Sequence, residues 1–178
     1  MLKITVPGVE LWDERNEVFI TTKDATLTLE HSLVSVSKWE AKWKKPFLGQ
    51  KDRTRAETID YIRCMTISQN VNPDVYLAID NRIIRRVNEY INDSMTATWF
   101  TEQKKGPPTR KNITSELIYY WMISLNIPFE CQKWHLNRLL TLIRVCEIKN
   151  APAKKMSKGA VAKQNAAINA QRRRGRHG

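Results

Sequence analysis

Histidine, cysteine, tryptophan and clustered arginine are the residue types here that could carry catalysis, metal binding or recognition. The histidines are His31, His135 and His177. His31 falls in an alternating, strand-like run, His135 opens a helical pattern, and His177 is the penultimate residue. No nucleophile elbow, phosphate-binding loop or metal-binding helix motif surrounds any of them, so no enzyme is expected. Cys64, Cys131 and Cys146 stand far apart, odd in number and in no C-x-x-C pair. That spacing supplies neither a disulfide framework nor a zinc site, and apolar helical surroundings predict reduced, buried thiols. No metal or cofactor is expected.

Recognition is better supplied. Trp39 and Trp43, four residues apart, share a face if helical, among Lys38, Lys42, Lys44 and Lys45. That face is either a sticky surface for a partner or a lid on the core with the lysines in solvent. Trp99 and Phe100 precede a Gly106-Pro107-Pro108 breaker and form a second candidate interface. Trp121 reads as core. The third candidate is Arg172, Arg173 and Arg174 near the end of the chain. Eight basic residues and no acid follow Asn150, whereas the first 150 residues carry 22 basic and 18 acidic side chains. Most of the +12 charge therefore sits in the tail. Such a run can neutralise nucleic-acid phosphates or meet an acidic protein, but it has no interleaved aromatics for base stacking.

The elements that must position these groups follow from periodicity. With 178 residues the chain has room for one domain with a core. Residues 1–33 read as mainly β: Leu2, Ile4 and Val6 alternate with polar residues, as do Leu27, Leu29, His31 and Leu33. Between them, a turn near Asp13 separates Leu11 and Trp12 from the β-prone run from Val18. Residues 34–150 read as mainly α. Ser35 or Ser37 caps a helix carrying Trp39 and Trp43 and stopped by Pro46. Thr54 starts another, with Ala56, Ile59, Ile62 and Met65 on one side. Asn72-Pro73-Asp74 starts a third, which Asp80-Asn81 is placed to divide. Residues 95–100 are β-prone. Asn112 or Thr114 opens a helix with Leu117, Ile118, Trp121, Met122 and Leu125 inward, ended by Pro128. The last helix turns Leu136, Leu139, Leu140, Ile143 and Cys146 inward, and its short connection predicts an antiparallel pair with its predecessor. Residues 151–178 hold few apolar anchors and read as a disordered basic tail whose stretch from Val161 to Arg174 has helix formers. The fold class is α+β, predominantly α: a small N-terminal antiparallel sheet on a helical bundle, then the tail.

Three runs add a resemblance. LEHSLVSVSKWEAKWKKPFL (29–48) and ELIYYWMISLNIPFECQKWHLNRLLTLIRVC (116–146) resemble the tail assembly chaperones of long-tailed bacteriophages, and QNAAINAQRR (164–173) is similar to their endings. The resemblance implies a non-enzymatic protein of the host bacterial cytoplasm, absent from the mature virion and without a membrane anchor. It implies binding to the helical, apolar tape measure protein, and help in recruiting the major tail protein. Many such proteins also have a longer form made by programmed frameshifting; this ending looks like the short form, and Lys154-Lys155 is compatible with a slippery run in the message. The alternatives from the residues alone are a nucleic-acid-binding phage protein using the tail and a minor structural tail component. Whether the chain self-associates stays open.

Overall fold

The computed structural model describes residues 1–14, 17–50, 52–100, 112–151 and 158–174. The Gly106-Pro107-Pro108 loop, Lys154-Lys155 and His177 lie outside them. The fold is α+β and mostly α, with antiparallel strands confined to the N-terminal part. Residues Met1–Glu147 form one compact unit and Ile148–Gly178 a second.

Strands β1 (Leu2–Val6) and β4 (Ala25–Leu29) pair antiparallel, as do β2 (Glu10–Asp13) and β3 (Val18–Thr21). The alternation places Ile4, Val6, Leu27 and Leu29 in the core and their neighbours outside. Leu2 faces Leu29, Val6 faces Ala25, Glu10 faces Thr21 and Asp13 faces Val18, so both sheets keep one register. Between them the Thr22 N–H donates to the Val9 carbonyl at 2.8 Å. The two sheets are thus one long ribbon, interrupted at Pro7-Gly8. A side chain at Gly8 would meet the Thr22 carbonyl oxygen at 2.5 Å, so only glycine fits the crossing. His31 is not part of the strand: β4 ends at Leu29, and the chain turns into a helix instead.

That helix, α1 (Leu33–Trp43), is capped by Ser32, whose hydroxyl accepts the Ser35 N–H at 3.2 Å. Ser35 and Ser37 are therefore inside the helix, and the cap lies three residues before the first of them. Lys44 in the left-handed conformation stops it before Pro46. Helix α2 (Arg55–Met65) opens on the Thr54–Glu57 capping box. Its inward face is Glu57, Tyr61, Ile62 and Met65; Ala56 faces solvent, because two of the positions that look polar in sequence are buried against α1.

A 3₁₀ turn, Pro73–Ala78, precedes α3 (Asn81–Asn92), so the chain does divide at Asp80-Asn81, where Asp80 caps α3. Residues 95–100 form no strand, and among the described residues no strand pairs with them to satisfy a ladder. Helix α4 (Ser115–Ser124) and α5 (Leu136–Asn150) are separated by a 3₁₀ turn at Phe129–Lys133. The predicted α4–α5 pair gives way to another arrangement: α4 packs mainly on α1, which also packs on α2. The interposed turn allows α5 to start at the core, where the Leu136 N–H donates to the His31 carbonyl at 2.7 Å. Trp39, Phe47, Ile62, Met65, Ile118, Met122 and Leu136 fill the centre of the unit.

In the second unit α6 spans Lys158–Arg174 and takes in the stretch of helix formers from Val161 to Arg174. Alanine-rich, straight-chain composition favours helix locally even where nothing is buried. Its described side chains are all exposed. Among the described residues no helix is long and apolar enough to cross a membrane.

Candidate binding surfaces

Helices α1 and α2 meet through groups that read in sequence as a lysine-rich surface. Trp39 is fully buried, and its indole N–H donates to the Glu57 carbonyl at 3.0 Å. Trp43 is half-buried, stacks on Trp39 with ring centroids 6.1 Å apart, and donates to Asp60 Oδ2 at 2.9 Å. Lys42 pairs with Asp60, and Lys45 Nζ lies 2.8 Å from Glu57 Oε1. Hydrogen bonds from Lys45 and from the Thr54 backbone hold the Glu57 carboxyl below the usual carboxylate range. Trp39 is therefore withdrawn as a partner contact. The Glu57 backbone carbonyl and the Asp60 carboxylate satisfy the two indoles, and the same two residues pair with Lys45 and Lys42, which makes this a packed interface.

The same core brings His31 and His135 together. Their rings lie edge to face at 5.0 Å, and His31 Nδ1 shares a short hydrogen bond with the Tyr61 hydroxyl. His135 Nε2 lies 3.0 Å from the Tyr90 carbonyl and Nδ1 accepts the Asn137 N–H at 3.3 Å, which sets the neutral Nε2–H tautomer. Burial, then the neighbouring His135 and Arg53, lowers the His31 pKa to about 3. Burial lowers His135 as well and raises the Tyr61 hydroxyl well above its usual range. Cys131 stands four residues before His135, but burial pushes its thiol up, and both imidazole nitrogens are already engaged. The cluster is neutral, satisfied and packed, the properties of a core rather than of a general base.

The three cysteines are free: Cys131 is buried as expected, while Cys64 and Cys146 are only half-buried. Among the described residues no three histidine, cysteine, aspartate or glutamate side chains gather into a metal-binding group. A cavity of about 380 Å3 opens beside α1, lined by residues including Val34, Lys38, Cys64, Ile67 and Lys133. Neither histidine borders it.

The surface carries the more informative side chains. Trp99 is 88% exposed, and Phe100 is half-buried beneath the Arg144 guanidinium, 4.1 Å from the ring centroid. On α4, Tyr120 and Ile123 point outward three residues apart, and Phe129 follows in the next turn; they are 63%, 60% and 53% exposed. Sequence reading assigned this helix only an inward face; the outward apolar positions were visible in the run Ile118–Ile123, which is apolar all round. Trp12 and Phe19, also exposed, face each other across β2 and β3 with centroids 4.8 Å apart. Arg82, Arg85 and Arg86 line an open groove of about 430 Å3 beside α3. Arg172 is exposed on α6, which also contains Arg173 and Arg174. The structure thus divides the predicted set: Trp39 in the core, Trp43 at its margin, and Trp99 and Arg172 in solvent. No family model, no curated protein and no solved structure matches the chain.

Proposed function

We propose that the chain is a phage tail assembly chaperone, a non-enzymatic protein that binds the apolar helical tape measure protein, keeps it soluble, and helps recruit the major tail protein. The observation that carries this reading is the outward apolar set on α4 and the turn after it: Tyr120, Ile123 and Phe129. Helix α4 already buries Ile118 and Met122 against the body, and among the described residues its second apolar face stays exposed. Trp99 adds a further exposed aromatic. Weak contacts of this kind, repeated along a long helix by many copies, reach high avidity through multiplicity. The basic stretch with Arg172, Arg173 and Arg174 is assigned to recruitment of the tail protein or to positioning a longer frameshifted form.

The test is co-expression with the tape measure protein encoded beside this chain. The wild-type chain, with its longer form where one exists, keeps the tape measure soluble, and Tyr120→Ser with Ile123→Ser does not. An insoluble tape measure beside both wild-type forms refutes the reading. A second reading, polyanion binding, draws on the Arg82, Arg85 and Arg86 groove as well as the tail. It requires duplex affinity that falls steeply as salt rises.

A further inference from the structure

The distal half of the N-terminal ribbon is the least explained part of the fold. Its proximal half, β1 and β4, is anchored by Ile4, Val6, Leu27 and Leu29 in the core. The register continues unchanged through the Pro7-Gly8 crossing. By that register Trp12 and Phe19 continue the ribbon face that carries those four core residues. Both are exposed, at 51% and 66%. Between the core residues and this pair the same face carries Glu10 opposite Thr21, so an exposed acid stands next to the aromatic pair.

A two-stranded ribbon is marginal in water, and a cross-strand aromatic pair is more than solubility would select. The hairpin also has the opposite charge to the rest of the chain. Residues 10–21 hold four acids, Glu10, Asp13, Glu14 and Glu17, against one base, Arg15, in a chain of net charge +12. Glu10, Glu14 and Glu17 are exposed. Aromatic faces ringed by carboxylates accept aliphatic groups and cations together, and repel nucleic acid or an anionic membrane.

We propose that the β2–β3 hairpin is a docking finger for an amphipathic helix with basic flanks, in the partner polypeptide. Trp12 and Phe19 take its apolar side chains, and Glu10, Glu14 and Glu17 pair with its lysines and arginines. The inference rests on the chaperone reading for the partner's identity, but the finger's chemistry is testable without it. It adds a contact separate from α4 and selects basic segments of the partner.

The experiment uses the full chain and two synthetic helical peptides of the same leucine pattern, one with lysine and one with glutamate at every polar position. Binding is followed by anisotropy of labelled peptide and by the Trp12 indole N–H resonance, assigned with Trp12→Phe. The lysine peptide binds and shifts that resonance; the glutamate peptide binds at least tenfold more weakly. Trp12→Thr with Phe19→Thr, which preserves strand propensity, weakens the lysine peptide at least tenfold. Glu10→Gln, Glu14→Gln and Glu17→Gln together, which leave the aromatics in place, weaken it severalfold and flatten its salt dependence. Equal binding of both peptides, or undiminished binding by the threonine variant, overturns the proposal. So does a chain that sediments as a dimer which the threonine variant dissociates, because the occupant is then a second copy. A soluble tape measure beside the threonine variant overturns the finger's role in capture and leaves the chaperone reading intact. An insoluble tape measure beside wild type removes that reading, while the peptide result still decides the finger.

Discussion

Acidification should unfold this protein earlier than its carboxylates alone would, because His31 is buried neutral. Its pKa is lowered from the model-peptide 6.5 to about 3, first by burial and then by His135 and Arg53. The unfolded chain therefore takes up a proton below pH about 6.5 that the folded chain refuses. Stability attributable to this group is complete above that pH and falls as pH drops, until the folded pKa is reached. At ~1.4 kcal/mol per pH unit, moving from pH 7.5 to 5.0 removes about 2 kcal/mol through His31 alone. His135, shifted the same way, adds to the loss. For a chain of this length that is a fall of roughly 4–8 °C in Tm. The window is chosen above the carboxylates; Glu57, held low by Lys45 and Thr54, gives up its contribution only at more acid pH. Urea unfolding followed by tryptophan fluorescence reads the difference at the two pH values. His31→Gln, which keeps a hydrogen-bonding group beside Tyr61, should be less stable overall yet lose about 2 kcal/mol less between them. A wild-type stability that is flat from pH 7.5 to 5.0 would falsify the buried-neutral assignment. An unchanged pH slope in the glutamine variant would show that the proton goes elsewhere.

Three further outcomes follow from packing. Trp39→Ala should cost about 3–5 kcal/mol in denaturant unfolding, as for other large core residues, whereas Trp99→Ala should stay within about 0.5 kcal/mol. Glu40 accepts the Phe47 N–H through Oε1 and the Ser115 N–H through Oε2, each at 2.7 Å, and so ties α1 to the following loop and to the start of α4. Glu40→Ala leaves two buried donors unpaired and should destabilise by roughly 2–5 kcal/mol, measured in the same way. A chain ending at Asn150 should melt within a degree or two of the full chain by calorimetry, because residues Met1–Glu147 hold their own core.

Local signals read through to the fold where one short segment decides the outcome. The Thr54–Glu57 capping box, the Asn72-Pro73 start and the Asp80 cap are each complete within four residues, and each is an element boundary. Failures came where distant groups decide. Glu40, Glu57 and Asp60 look like solvent-facing acids, yet all three are buried as acceptors for backbone, indole and ammonium donors. Once Glu57 and Asp60 are recognised as inward, Ala56 has to turn outward, and Trp39 has a reason to leave the surface. The strand propensity of residues 95–100 found no pairing partner, and the α4–α5 pair was set aside by a five-residue turn.

The candidate surfaces show the same limit from the other side. Trp39 and Trp12 are indistinguishable by composition, each an aromatic among charges. Their fates differ because Trp39 has the Glu57 carbonyl and the Phe47 ring, 5.3 Å between centroids, waiting across the α1–α2 interface. Trp12 meets Phe19, on the same ribbon, and stays exposed. Composition leaves the Trp39–Trp43 face open between a sticky surface and a lid on the core, and contacts across the interface decide it, with Lys42 and Lys45 paired to the acids of α2. The acids around Trp12 have no such counterpart in the compact unit: among the described residues Glu10, Glu14 and Glu17 enter no ion pair. Among the described residues, unpaired acids therefore stand beside exposed aromatic surface at the ribbon tip, whereas at α1 the charges beside Trp43 are paired and its neighbour Trp39 is buried.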